Sequence, residues 1–234
     1  MHAEFDFEGD VVLVTGASGA LGSAICRAFD DAGATVCGTD VQAPDDDTEL
    51  DRGEVSFYRG DLTDETEAEQ VVEAVVDAHG GLDALCNVAG MWRGGTPIEE
   101  TAVESFETVF DVNLKTMFLA SKHALPHLQE SEGAIVSVSA RASLEGGEGD
   151  GPYRASKAGV RLLTETIAEE NRGTVRANAV MPSVIDTPQN RGMLPDADHD
   201  DWVDPGEIAR VVLALCSDAT VPTSGGAIPV YGEA

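Results

Sequence analysis

Val11-Val12-Leu13-Val14-Thr15-Gly16-Ala17-Ser18-Gly19-Ala20-Leu21-Gly22 passes from an apolar run, through a glycine-rich turn, into a helical pattern. Four apolar residues in a row predict a strand covered on both faces, which is how a strand of a parallel sheet reads. The glycines let the backbone turn sharply and approach a pyrophosphate, which the N–H groups and dipole of a helix N-terminus then stabilise. On this reading Gly16, Ser18, Gly19, Ala20, Leu21 and Gly22 form the phosphate turn of a dinucleotide site. A glycine-rich turn alone is a weak signal. Its strand–turn–helix setting, with an acid at the end of the second strand, makes it informative.

Outward from this stretch, short apolar runs alternate with amphipathic segments. A helix is expected from about Leu21 to Ala32, ended by Gly33, followed by a strand at Ala34–Thr39. Further strands are expected at Val55–Tyr58, Leu82–Val88, Ala134–Val138, Val175–Val180 and Ala227–Tyr231. Helices are expected after the third strand, over 103–129 with a break near Pro126, and from Tyr153 to Glu170. This alternation predicts an α/β fold, a Rossmann-type doubly wound parallel sheet of about seven strands flanked by helices. With no repeat, linker or composition break, residues 1–234 read as one domain.

The chain has 43 acidic and 14 basic residues, a formal charge of −29. That excludes ordinary nucleic-acid binding, which needs Lys and Arg to displace counterions from phosphates, and an anionic membrane surface would repel it. No apolar run reaches the ~18–20 residues of a membrane span. The start, Met1-His2-Ala3-Glu4-Phe5-Asp6, has no signal-peptide pattern, so a cytoplasmic protein is expected. Acidic clusters at Asp45-Asp46-Asp47 and Asp196–Asp201 read as solvated loops. Self-repulsion of this size is screened in concentrated salt, and the balance resembles halophilic proteins. Cys26, Cys37, Cys86 and Cys216 have no paired or metal-ligand spacing and read as core thiols, with no metal site.

Asp40 stands where a dinucleotide fingerprint places its ribose-binding acid. A 2′-phosphate there would meet like charge, and neither Val41-Gln42 nor the glycine-rich turn carries a cation, so NAD is the expected cofactor. In Tyr153-Arg154-Ala155-Ser156-Lys157, Tyr and Lys four apart share one helix face. A neighbouring ammonium favours the phenolate and lowers the phenol's ordinary pKa of ~10, suiting Tyr153 to pass a proton to or from a substrate oxygen.

Together these residues resemble the short-chain dehydrogenase/reductase family over nearly the whole chain. The resemblance adds Asn87, Ala89 and Gly90 in Asn87-Val88-Ala89-Gly90, Asp61 and Leu62 at an adenine contact, and Pro182, Ile185 and Thr187 around the nicotinamide. It implies that Asn113 helps hold a proton-relay water, that Lys157 also binds the nicotinamide ribose, and that the substrate is a small molecule. It further implies a homo-oligomer, tetramer or dimer. Val109, Leu114, Met117, Phe118 and Leu119 exceed one sheet-facing stripe and would line the interface.

Two departures stand out. Position 20 is Ala where the family's turn has Gly, and position 140 is Ala where the family has its catalytic Ser. Ser139, one residue earlier, is the candidate replacement, with Ser143 behind it. Ser139-Ala140-Arg141-Ala142-Ser143-Leu144 and the Asp186–Arg191 stretch also resemble the dihydropteridine reductase branch, which uses NADH. The main expectation is an NAD(H)-dependent oxidoreductase acting on a small carbonyl or alcohol. The alternatives are a dihydropteridine-reductase-like enzyme and a non-catalytic NAD-sensing module. Thr187–Pro205 is expected to cover the pocket, with Arg191, Met193, Leu194 and Trp202 as contacts.

Overall fold

The computed structural model describes residues 5–43 and 55–232. Seven strands form one sheet: β1 (Val11–Thr15), β2 (Thr35–Asp40), β3 (Ser56–Arg59), β4 (Ala84–Asn87), β5 (Ala134–Val138), β6 (Arg176–Pro182) and β7 (Ala227–Val230). Their order is β3-β2-β1-β4-β5-β6-β7, and every pairing is parallel. The chain runs outward from β1 to β3 and then returns to β4 on the other side of β1. The order therefore reverses between β1 and β4, and the crevice beyond their carboxyl ends is where such sheets take ligands.

The helices are α1 (Ala20–Asp31), α2 (Glu65–His79), α3 (Val103–Phe110), α4 (Thr116–Ser131), α5 (Gly151–Glu170), α6 (Pro188–Met193) and α7 (Pro205–Cys216). They cover both faces. One apolar layer packs Ile25 and Phe29 of α1 with Ile208 and Val212 of α7. The other packs Val72 of α2, Leu128 of α4 and Ile167 of α5 against Leu13 and Ile135. Each fully buried side chain of this size is worth about 1.5–3 kcal/mol. All four cysteines are reduced and buried, and burial pushes the Cys26 thiol up to about 12 and Cys37 up to about 11, which keeps them protonated.

The expected break near Pro126 is not present. Helix α4 runs through Pro126 because the proline sits on the exposed face, where water can take the freed carbonyl of Lys122. The irregularity lies earlier, in a π-helical turn at Asp111–Lys115 that separates α3 from α4 and carries Asn113. Of the five apolar residues expected at an interface, Val109, Met117 and Leu119 are buried in the chain's own core and Leu114 is half-buried, while Phe118 is exposed. Helices α6 and α7 add to the expected elements; Asp204-Pro205 carries the start signal of α7, and Asp204 caps Gly206 N–H at 2.8 Å. The Asp196–Asp201 cluster is exposed loop and a short 3-10 turn, and Asp45-Asp46-Asp47 lies outside the described residues.

Candidate active site

A cleft of about 1620 Å³ opens beyond the carboxyl ends of the strands, from Asp40 and Asp61 at one end to Tyr153 and Leu194 at the other. Such a volume exceeds the ~300–1,000 Å³ of an ordinary small-ligand pocket, leaving room for a dinucleotide and a substrate together.

The glycine-rich turn shapes the near wall. Gly16 has φ +66°, and a Cβ there would lie 2.7 Å from the Ala89 Cα, so this turn and the Val88–Gly90 segment touch backbone to backbone. A Cβ on Gly22 would lie 2.1 Å from the Gly16 carbonyl oxygen, so only glycine lets α1 start this close to β1. Gly19 is the N-cap of α1 and no side chain caps the helix, which leaves its first N–H groups for a ligand or solvent. Ser18, Gly19, Ala20, Leu21 and Gly22 all line the cleft; Ala20 starts α1 and its methyl group is exposed there. The Thr39 hydroxyl, buried at the cleft wall, has no hydrogen-bond partner among the described residues. An uncapped helix start, a backbone cradle and an orphaned hydroxyl together fit a dinucleotide.

At the far end of this wall, Asp40 accepts from Ser18 N at 3.2 Å and Val41 N at 2.7 Å. Sequence reasoning missed Arg59. The β2–β3 register sets it beside Asp40, and its Nε donates to the Val41 carbonyl at 3.0 Å. That juxtaposition depends on strand pairing, which local sequence around Asp40 does not reveal. Asp61 accepts from Thr63 N and Oγ1 at 2.9 and 2.7 Å, with Leu62 buried beside it.

Asn87 turns away from the cleft. Its amide donates to Ser121 Oγ at 3.0 Å and Ser137 Oγ at 3.3 Å, inside the layer under α4. Ala89 and Gly90 line the cleft, held by the Thr15 hydroxyl, which accepts from Val88 N and Ala89 N at 3.0 and 3.1 Å. Pro182, Ile185 and Thr187 line it opposite; Thr187 caps α6 by accepting from Asn190 N at 3.1 Å.

Helix α5 carries Tyr153 and Lys157 into the same cleft. Lys157 is buried, its Nζ donates to the Val138 carbonyl at 2.8 Å, and it packs so near Gly90 that a Cβ there would lie 2.9 Å from it. Burial lowers its pKa from 10.5 to about 8. The Tyr153 phenol moves the other way, up to about 12, chiefly by burial and then by Asp150, with Arg154 opposing. This corrects the expectation that Lys157 lowers the phenol: the ammonium is held on Val138, and loss of solvent dominates at both groups.

Ser139 is buried, and its hydroxyl donates to the main-chain carbonyl of Lys157 at 2.8 Å. Ser143 Oγ reaches Met181 Sδ at 3.9 Å, and Ala140 stands in the cleft wall. Asn113 binds both backbone groups of Met91, accepting from its N–H at 2.7 Å and donating to its carbonyl at 3.0 Å. It also donates to Ser156 Oγ at 3.0 Å, and that hydroxyl donates to the Tyr153 carbonyl at 2.8 Å. Met193 and Leu194 line the cleft. Arg191 is instead paired with Asp186 at 2.5 and 2.7 Å, and Trp202 packs on His199, neither lining the cleft. Among the described residues no cluster of His, Cys, Asp or Glu is placed to hold a metal, and no helix is long and apolar enough to cross a membrane.

The short chain dehydrogenase family profile matches residues 10–198. The chain is 34% identical to a 3-oxoacyl-[acyl-carrier-protein] reductase of Thermotoga maritima, covering 96% of this chain and 97% of that protein. It is 31% identical to meso-2,3-butanediol dehydrogenase of Serratia marcescens, over 97% and 95% of the two chains. A solved short-chain dehydrogenase/reductase of Brucella melitensis superposes with a TM-score of 0.89 at 29% identity, over 98% of each chain.

Proposed function

The chain belongs to the short chain dehydrogenase family, and from that premise we propose that it is an NAD(H)-dependent oxidoreductase moving a hydride between nicotinamide and a small carbonyl or alcohol. The observation that carries this reading is the meeting of Tyr153 and Lys157 with the glycine-rich turn in one cleft. Hydride donation or acceptance is the chemistry that the bound nicotinamide supplies.

The chain's own residues divide the remaining tasks. Gly16, Ser18, Gly19, Ala20, Leu21 and Gly22 hold the pyrophosphate, with Asp40 at the adenosine ribose and Asp61 and Leu62 at the adenine. Ala89 and Gly90 shape the central wall, and Asn87 supports them from within the sheet. Pro182, Ile185 and Thr187 close on the nicotinamide, and Lys157 reaches its ribose. Tyr153 gives a proton to the substrate oxygen in reduction and takes one in oxidation, a role worth ~10²–10⁴ in rate. Asn113 supports this relay by tying Met91 to the turn that bears Tyr153. Asp40 favours NAD over NADP by repelling a 2′-phosphate, and Arg59 softens that preference.

Further parts of the reading concern assembly. One domain carries both subsites, and copies associate as a dimer or tetramer through the exposed Phe106, Phe118 and Leu162 on α3, α4 and α5. A serine-free site like that of dihydropteridine reductases is a second reading, favoured by Ala140 and by the Ser139 hydroxyl's bond to the backbone. A screen of NADH oxidation against carbonyls, quinones and quinonoid pterins in concentrated salt tests the proposal. Turnover that Tyr153→Phe removes supports it, and binding of NADH without turnover of any of them supports a sensing module instead.

A further inference from the structure

The relatives named above act on chemically different substrates: one on an acyl group held by a carrier protein, the other on a small uncharged diol. The substrate end of the cleft distinguishes these classes by its own chemistry. Trp92 is 46% exposed, Met193 43% and Leu194 50%, and all three line the cleft that Tyr153 lines. On a chain with a formal charge of −29, large apolar groups left in contact with water and gathered in a concavity mark a ligand surface. The indole lies against Gly94, whose other near neighbours are Gly149 and Asp150 just before α5, so the Trp92 wall stands beside the turn leading to Tyr153. Ala140 and Ala142 continue the wall without a hydroxyl.

The cations at this end are already engaged by the protein. Arg154 donates through Nε to Asp150 at 2.6 Å and through Nη1 to the Glu145 and Ala142 carbonyls at 3.2 and 3.5 Å. Arg141 places its guanidinium 5.0 Å from the centre of the Tyr231 ring, and Lys157 donates to Val138. Glu145 adds a carboxylate to the same rim. Arg93, next to Trp92, lines a separate hollow with Glu100. A substrate carboxylate or phosphate placed beside these groups would face Glu145 and have to displace one of these bonds, so its desolvation would go uncompensated.

We infer that the substrate is an uncharged carbonyl or alcohol with an apolar, ring-sized body, held between Trp92 and the Met193–Leu194 edge. This rests on the proposed oxidoreductase reading and narrows it: acids and phosphorylated thioesters are poor ligands. Tyr153 is then the hydroxyl that meets the substrate oxygen, and the apolar walls orient the remainder.

Acetophenone and benzoylformate form a matched pair, differing by a methyl group in place of a carboxylate. Each is titrated into a Trp202→Phe protein with saturating NAD⁺, so that no hydride is available, and Trp92 fluorescence reports binding. Acetophenone is expected to bind at least about ten-fold more tightly, and Met193→Ser and Leu194→Ser, both at exposed positions, to weaken it about five-fold while leaving benzoylformate little changed. Equal or tighter benzoylformate binding overturns the inference, as does binding of neither. Preferential acetophenone binding without any NADH oxidation by acetophenone or the wider carbonyl screen defeats the oxidoreductase reading while upholding the cleft's preference for an uncharged, apolar ligand. If NAD⁺ does not bind, the same titration without it still compares the two ligands.

Discussion

Ser139 Oγ donates to the main-chain carbonyl of Lys157 at 2.8 Å, while Lys157 Nζ donates to the carbonyl of Val138, also at 2.8 Å. The end of β5 thus grips Lys157 at both its backbone and its ammonium. The hydroxyl closest in sequence to Ala140 is committed to the helix that carries Tyr153.

Ser139→Ala is therefore expected to act on stability more than on chemistry. Losing one buried hydrogen bond costs about 0.5–1.5 kcal/mol, visible as a lower Tm. Turnover should change less than about ten-fold, below the ~10²–10⁴ of a proton-transferring group. Thermal melts and steady-state kinetics on the same protein check this. A loss of turnover with unchanged Tm would place the hydroxyl on the substrate.

The proposed cofactor choice rests on Asp40 and Arg59, paired in register across β2 and β3. NADH is expected to bind more tightly than NADPH, with Asp40→Ala narrowing the difference and Arg59→Ala widening it by weakening NADPH alone. Fluorescence titration of both cofactors measures this. Tighter NADPH binding by the unaltered chain would contradict the assignment of Asp40.

The opposite shifts of Tyr153 and Lys157 set a pH dependence. The phenol keeps its proton up to about 12, while Lys157 loses its charge above about 8. Because an uncharged Lys157 would hold the nicotinamide ribose less firmly, carbonyl reduction should decline as pH rises through about 8, while alcohol oxidation, which needs the phenolate, should gain at alkaline pH. The decline is not unfolding. Between about 8 and the ordinary 10.5 the unfolded chain binds more protons at Lys157, so this group's contribution to stability rises with pH. Tyr153 works in the other direction from 10 to about 12, where the folded chain keeps a proton that the unfolded chain loses. A reduction rate flat from pH 7 to 10 would contradict this account.

Phe106, Phe118 and Leu162 are about half exposed on neighbouring helices, which is the basis for the proposed self-association. Light scattering in molar salt is expected to give a dimer or tetramer, and Phe118→Asp to shift it toward monomer. Monomer alone in molar salt would refute it. Monomer in dilute buffer would not, because charge repulsion opposes assembly there.

Much of the fold was legible because its signals are local. The run Val11–Val14, the glycines that follow and the apolar segments ahead placed all seven strands within a few residues. The π-helical turn at Asn113 was not legible, since nothing in Asp111-Val112-Asn113-Leu114-Lys115 departs from an ordinary helical pattern. Phe118 could be separated from Met117 and Leu119 only once the helix had an orientation. At the site, the identities of Tyr153, Lys157 and Asp40 could be read directly. Arg59 beside Asp40 and the direction of the Ser139 hydroxyl depend on strand pairing and on the strand-to-helix approach, which motifs do not encode.

Tyr153→Phe tests the central claim most directly, because it removes one hydroxyl and little else. With a substrate identified by the carbonyl and pterin screen, steady-state kinetics and NADH titration are run on the variant and the unaltered chain side by side. The account predicts a fall in turnover of ~10²–10⁴ with NADH affinity nearly unchanged. Near-full activity in Tyr153→Phe would contradict it, because the proton would then come from elsewhere, as for a pterin-like substrate protonated by water.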